Sequence, residues 1–137
     1  MNLVSVRLIT DDVARLVAFY ERVTGVGAWW ANDDFAELRT TSGTLAIGST
    51  RTVGLFGGPE VASPAANRSA IVEFLVDDLD GRFAALTADG DLEVVQEPAT
   101  MPWGNRSLLL RDPDGTLVNL FEPVTDAAHT KFAGTLR

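Results

Sequence analysis

Hydrophobic and polar positions run along this chain in two rounds of one pattern. Residues 5–12 (SVRLITDD) lie over residues 71–78 (IVEFLVDD), each an alternating or apolar strand-like run closed by two aspartates. Residues 13–20 (VARLVAFY) and 79–86 (LDGRFAAL) follow, with apolar side chains at helical spacing. Asp12 and Asp78 stand at the N-cap positions. A carboxylate there accepts from the first free N–H groups and favours the positive end of the helix dipole. Gly25 and Gly90 stand where helix C-caps belong. Further on, residues 38–47 (LRTTSGTLAI) lie over 110–119 (LRDPDGTLVN), sharing a Gly-Thr-Leu that opens a strand. In Asp112-Pro113-Asp114-Gly115, proline presets φ for the second position and glycine suits the fourth, which predicts a type I turn.

The pattern predicts strand, helix and three strands, twice over. Strands are expected near 3–10, 27–31, 34–40 and 43–49 with a helix near 12–24. The second round has strands near 69–76, 91–97, 105–111 and 115–122 and a helix near 78–89. The fold class is α+β: two repeated βαβββ modules forming a curved mixed sheet with a concave cleft and helices outside. One domain spans 1–137, with module one at 3–49, a connector at 50–68, module two at 69–123 and a tail at 124–137. A half of about 50 residues buries too little surface to stand confidently alone. Pairing of sheet edges, within one chain or exchanged in a homodimer, removes that weakness. The connector is rich in Gly, Pro, Ala and Ser, and its Val53–Phe56 stretch either docks apolar side chains or adds a short strand. The tail either adds a short helix or stays mobile.

Composition narrows the chemistry. Nineteen acidic against eleven basic residues give a net charge of −8 in 137 residues, which disfavours nucleic acid as a partner. Without cysteine, disulfides, thiolate catalysis and thiolate metal sites are excluded, and a single histidine excludes any site needing two from one chain. The start, MNLVSVRLITDD, lacks the marks of a signal peptide, and no run reaches the ~18 apolar residues of a membrane span. A cytoplasmic protein with no membrane partner is the expectation.

The duplicated strand–Asp–helix unit, the helix segment Ala18-Phe19-Tyr20 and the Asp-Pro-Asp-Gly before the last strand resemble the vicinal oxygen chelate superfamily. That group includes glyoxalase I, extradiol dioxygenases and the bleomycin-resistance proteins. The resemblance runs over roughly residues 3–123 and speaks to fold more than to reaction. It implies four repeat-related metal-ligand positions, two histidines and two glutamates in the metal enzymes. Here they fall on Ser5, Ile71, Ile47 and Asn119, a very poor set for a divalent ion. No metal and no cofactor are therefore expected, as in the metal-free, bleomycin-resistance-like branch. A one-residue misalignment brings in no acid, because none occurs between Glu37 and Glu60.

Strand parity then predicts the face that a ligand meets. It carries Ser5, Arg7 and Ile9; Ile71, Glu73 and Leu75; Leu45, Ile47 and Ser49; and Leu117, Asn119 and Phe121. The result is an apolar surface with a few polar groups, the usual makeup of a small-ligand site. Arg7 and Glu73 are repeat-related and read either as a structural ion pair or as groups that orient a ligand. Glu73 is also the weak candidate for a general base, with no second acid or nucleophile evident. Trp103, in a loop with two prolines, reads equally as a lid or as a plug for the sheet's open end. Phe35 and Phe56 read first as core, and His129 as a surface residue of the tail.

Two functions follow. The first is metal-independent binding of a small aromatic or amphipathic ligand, with the acidic field favouring cations. The alternative is a glyoxalase-like or other lyase, isomerase or dioxygenase-related enzyme acting on a carbonyl or hydroxy-acid substrate.

Overall fold

The aspartate that closes each first strand also starts the helix behind it. In the computed structural model, which describes residues 1–135, β1 (Ser5–Thr10) leads into α1 (Val13–Thr24) through Asp12. The Asp12 carboxylate accepts from the Arg15 N–H at 3.0 Å. Gly25, at φ 73°, ends the helix, and its N–H reaches the Glu21 carbonyl. The left-handed conformation there is open to glycine at no steric cost. Three strands complete the module: β2 (Trp29–Asn32), β3 (Phe35–Arg39) and β4 (Thr44–Ser49).

The second round repeats this order with β5 (Ile71–Leu75), α3 (Leu79–Thr87), β6 (Glu93–Thr100), β7 (Asn105–Arg111) and β8 (Leu117–Pro123). Its cap differs in detail. Asp78 sits at φ 46°, and its carboxylate accepts from the Gly81 N–H at 3.2 Å. A Cβ at Gly81 would collide with that carboxylate. Glu122, from β8, accepts from the Leu79 N–H and holds a second negative group at the same helix end. Asp80 in the first turn takes a bidentate pair of bonds from Arg106 of β7, both at 2.9 Å.

Each module forms its own four-stranded mixed sheet, ordered β1-β4-β3-β2 in one and β5-β8-β7-β6 in the other. In both, the first and last strands of the module pair in parallel, the first strand forming one edge of the sheet, and the remaining pairs are antiparallel. The chain divides into two units: Met1–Arg68 with Pro113–Gly115, and Ser69–Asp112 with the chain from Thr116 onward. In the first, Val13, Leu16, Val17, Tyr20 and Val23 of α1 are buried at helical spacing. The helix packs on β3 and β4, whose Ala36, Leu38, Leu45 and Ile47 are buried beneath it. In the second, Leu79 and Leu86 of α3 and Leu108, Leu110, Val118 and Leu120 of the sheet are buried in the same way.

Register corrects one expectation. Ser5 pairs with Thr44 and Arg7 with Ala46, whereas Ile71 pairs with Leu117 and Glu73 with Asn119. The residue related to Asn119 is therefore Ala46, not Ile47. Aligning the two Gly-Thr-Leu runs slips β4 by one position, and one position reverses every side chain. Leu45, Ile47 and Ser49 leave the expected ligand face; Ala46 and Gly48 take their place.

The connector forms a short helix, α2 (Thr50–Gly54), rather than a strand, with Ser49 as its N-cap and Val53 buried. The tail forms α4 (Asp126–Lys131), capped by Thr125, and Phe132 beyond it meets Phe121 of β8 at 5.3 Å between ring centroids. Positions 136–137 of the expected tail lie outside the described residues. The Asp-Pro-Asp-Gly turn closes as expected, with Gly115 at φ 85° and the Thr116 N–H donating to the Asp112 carboxylate at 3.0 Å.

Two measurements check this arrangement. Ile47→Ala should cost about 2–5 kcal/mol in urea unfolding, because the side chain fills the helix-to-sheet core. A cost under about 0.5 kcal/mol, the size of an ordinary surface change, would return Ile47 to the open face. The Arg106 hydrogen bonds hold the Asp80 carboxyl below its ordinary range, partly offset by burial. A depressed carboxylate contributes stability above its unfolded pKa and loses it as pH falls. The stability difference between wild type and Arg106→Gln should therefore be greatest near neutrality and vanish as acid protonates Asp80.

Candidate functional site

The faces turned away from α1 and α3 are where unspent polar groups collect. In module one, register places Ser5, Arg7 and Ile9 of β1 beside Ala46 and Gly48 of β4, with Phe35 and Glu37 of β3 next in line. The Arg7 guanidinium carbon lies 5.1 Å from the centroids of both the Phe35 and Phe56 rings. Gly48 lies beside the Arg7 stem, and a Cβ there would stand 2.7 Å from Thr52 Oγ1 and in ordinary contact, 3.5 Å, with Arg7 Cδ. Glu37 is occupied: it accepts from Arg39 Nε at 2.7 Å, and the Arg39 guanidinium in turn covers Trp29 at 4.1 Å.

In module two the open face carries Ile71, Glu73 and Leu75 beside Leu117, Asn119 and Phe121, then Ser107 and Leu109, then Gln96. Asn119 Nδ2 donates to Glu73 Oε2 at 2.8 Å. Because a carboxylate only accepts, that bond fixes which way the Asn119 amide points. Its Oδ1 is then buried with no partner, as is Gln96 Nε2 on the same face across Leu109. Each such group left without a hydrogen bond costs about 1–3 kcal/mol, so a polar ligand or an ordered water is favoured here.

Of the residues singled out in the sequence, Ser5 and Arg7 lie on the open face of module one. Ile71, Glu73, Asn119 and Phe121 lie on that of module two. Ile47 does not: it is 0% exposed on the helix side. Trp103 sits on a tight turn in which the Gly104 N–H donates to the Met101 carbonyl at 2.9 Å, and it remains 68% exposed. Gly104, at φ 93°, accepts from the Val124 and Thr125 N–H groups, so the turn is fastened to the end of β8. His129 is an exposed residue of α4. Phe56 is 60% exposed rather than core.

Sequence reasoning missed three participants. Ala46 was hidden by the slipped alignment. Gln96 follows a break in the β6–β7 register, which hides its face from simple alternation. Phe56 reaches Arg7 only because α2 turns the chain back over the sheet, and no local signal in the connector marks that.

Comparison with known proteins places this geometry. The model of the glyoxalase/bleomycin resistance protein/dioxygenase superfamily matches residues 2–120. The chain belongs to that superfamily. A curated relative in Mycobacterium tuberculosis, and its counterpart in Mycobacterium bovis, carry the name "Putative glyoxylase CFP32" and are 31% identical over 122 residues. The match covers 85% of this chain and 42% of theirs, so the chain spans less than half the length of these relatives. A superfamily enzyme from Burkholderia phytofirmans PsJN superposes with a TM-score of 0.77 at 16% identity, covering 90% of this chain and 100% of its own. TioX from Micromonospora sp. ML1 superposes with a TM-score of 0.65 at 25% identity, again covering 90% and 100%.

Membership makes the metal positions the decisive test of chemistry. With register corrected they hold Ser5 and Ala46 in module one and Ile71 and Asn119 in module two. A hydroxyl, a methyl, an aliphatic and a neutral amide supply no carboxylate, imidazole or thiolate. The amide is also engaged by Glu73. Among the described residues, no group of three or more His, Cys, Asp or Glu side chains is placed to hold a metal ion. Neither module's pair offers a donor that the divalent ion of the superfamily's metal enzymes prefers.

Proposed function

We propose that this superfamily member binds a small aromatic or amphipathic ligand without a metal, in the manner of the bleomycin-resistance branch. The observation that carries the reading is the donor set at the four ligand positions: Ser5, Ala46, Ile71 and Asn119 have no group that a divalent ion prefers. Around them the open faces present what a small-molecule site needs, apolar area with a few directed polar groups. In module two Ile71 and Leu117 supply area while Glu73, Asn119 and Gln96 supply direction; in module one Ile9 supplies area and Arg7 direction. The same reading takes the protein to be a cytoplasmic homodimer. No helix among the described residues is long and apolar enough to cross a membrane.

The enzymatic alternative has one observation in its favour. Glu73 is exposed, positioned by Asn119 and free of any cationic partner among the described residues. As a general base it would take a proton from a carbonyl or hydroxy-acid substrate. Glu73→Gln then abolishes turnover with the fold intact, whereas a binding protein has no turnover to lose.

A ligand that binds only the native state raises its melting temperature by mass action. In a thermal-shift panel run in the presence of a chelator, aromatic cations, aromatic acids and neutral aromatics should include compounds that stabilise the protein. Unchanged melting across the whole panel, or stabilisation that appears only when metal is restored, would contradict the reading.

A further inference from the structure

Among the described residues, Arg7 is a cation with no anion beside it. It lies on the open face of module one, exposed, with two aromatic rings against its guanidinium. The rings of Phe35 and Phe56 hold it by cation–π attraction, a contribution of about 0.5–1 kcal/mol at an exposed position. They accept none of its N–H groups in the way an oxygen would. The carboxylate on the same face, Glu37, already receives Arg39 at 2.7 Å. Among the described residues, then, the five donors of Arg7 have water alone.

An exposed arginine ordinarily moves through many rotamers, and fixing it costs up to about 2 kcal/mol. Here two rings receive its head, so part of that cost is met before any ligand arrives. A planar fork held in place over apolar walls is suited to a group with two oxygens in one plane. Ile9 beside it and Phe56, still 60% exposed, leave apolar surface for the body that carries such a group.

We infer that Arg7, Phe35 and Phe56 form a subsite for the anionic end of an aromatic or aliphatic ligand, a carboxylate or phosphate on an apolar body. The net charge of −8 does not oppose this. Charges farther away than about 8 Å are largely screened at physiological salt, so the local guanidinium decides what binds beside it. The inference rests on the ligand-binding reading above and gives that ligand a polarity.

Calorimetric titration of the whole chain with 2-naphthoate, 2-naphthamide, 2-naphthyl phosphate and 2-naphthylmethylammonium tests it. At least one of the two anions should bind about tenfold or more tightly than the isosteric neutral amide, consistent with one charge-assisted pair. The better anion identifies the source of the recognised group. Arg7→Met should bring that anion down to the affinity of the amide, and Arg7→Lys should retain part of the preference. Phe56→Leu should weaken the anion more than the amide. Circular dichroism and melting temperature confirm that each variant is folded. If the amide or the ammonium binds as tightly as the better anion, or if Arg7→Met leaves the preference intact, the subsite is overturned while ligand binding stands. If no compound binds up to about 10 mM, an affinity too weak to matter, both fall.

Discussion

The parallel pairing of each module's first and last strands governs everything else in this protein. It sets which side chains of β1 and β4, and of β5 and β8, share a face. With period-two alternation, a single register decides at once what lies under the helix and what is offered to solvent. The helix side is closed by Ala36, Leu38, Leu45 and Ile47 in one module and by Leu108, Leu110, Val118 and Leu120 in the other. Arg7, Glu73 and Asn119, at the opposite parity of the same strands, fall on the opposite face. Arg7, Glu73 and Asn119 are candidates for function for that reason, before any chemistry is considered.

The two open faces are related in backbone but not in content. Arg7 and Glu73 occupy equivalent places and carry opposite charges. Arg7 is held by aromatic rings and Glu73 by a side-chain amide, two means of positioning a charge without neutralising it. Module one thus offers a donor on its open face and module two an acceptor.

Much of this was legible in the sequence. The paired aspartates at residues 11–12 and 77–78 give away strand ends and helix caps, because a cap is a local device that needs only its own neighbours. Gly25, Gly90 and the Asp-Pro-Asp-Gly turn are local in the same sense. The slip at β4 shows where local reasoning stops. The Gly-Thr-Leu that recurs in both halves marks a turn, yet the strands leave that turn one residue apart in their pairing, and only the partner strand records the difference. Phe56 and Gln96 were out of reach for a similar reason: one arrives through the backward turn of α2, the other follows an irregularity in β6. Trp103 was legible as a loop tryptophan; it is highly exposed, on a turn fastened to the end of β8.

Membership in the superfamily fixes the framework, and the donors at four positions decide whether a metal belongs in it. Inductively coupled plasma mass spectrometry on protein expressed in metal-supplemented medium, then dialysed without chelator, addresses that directly. The account predicts transition metals far below one ion per chain. One tightly held ion per chain that survives dialysis would contradict it.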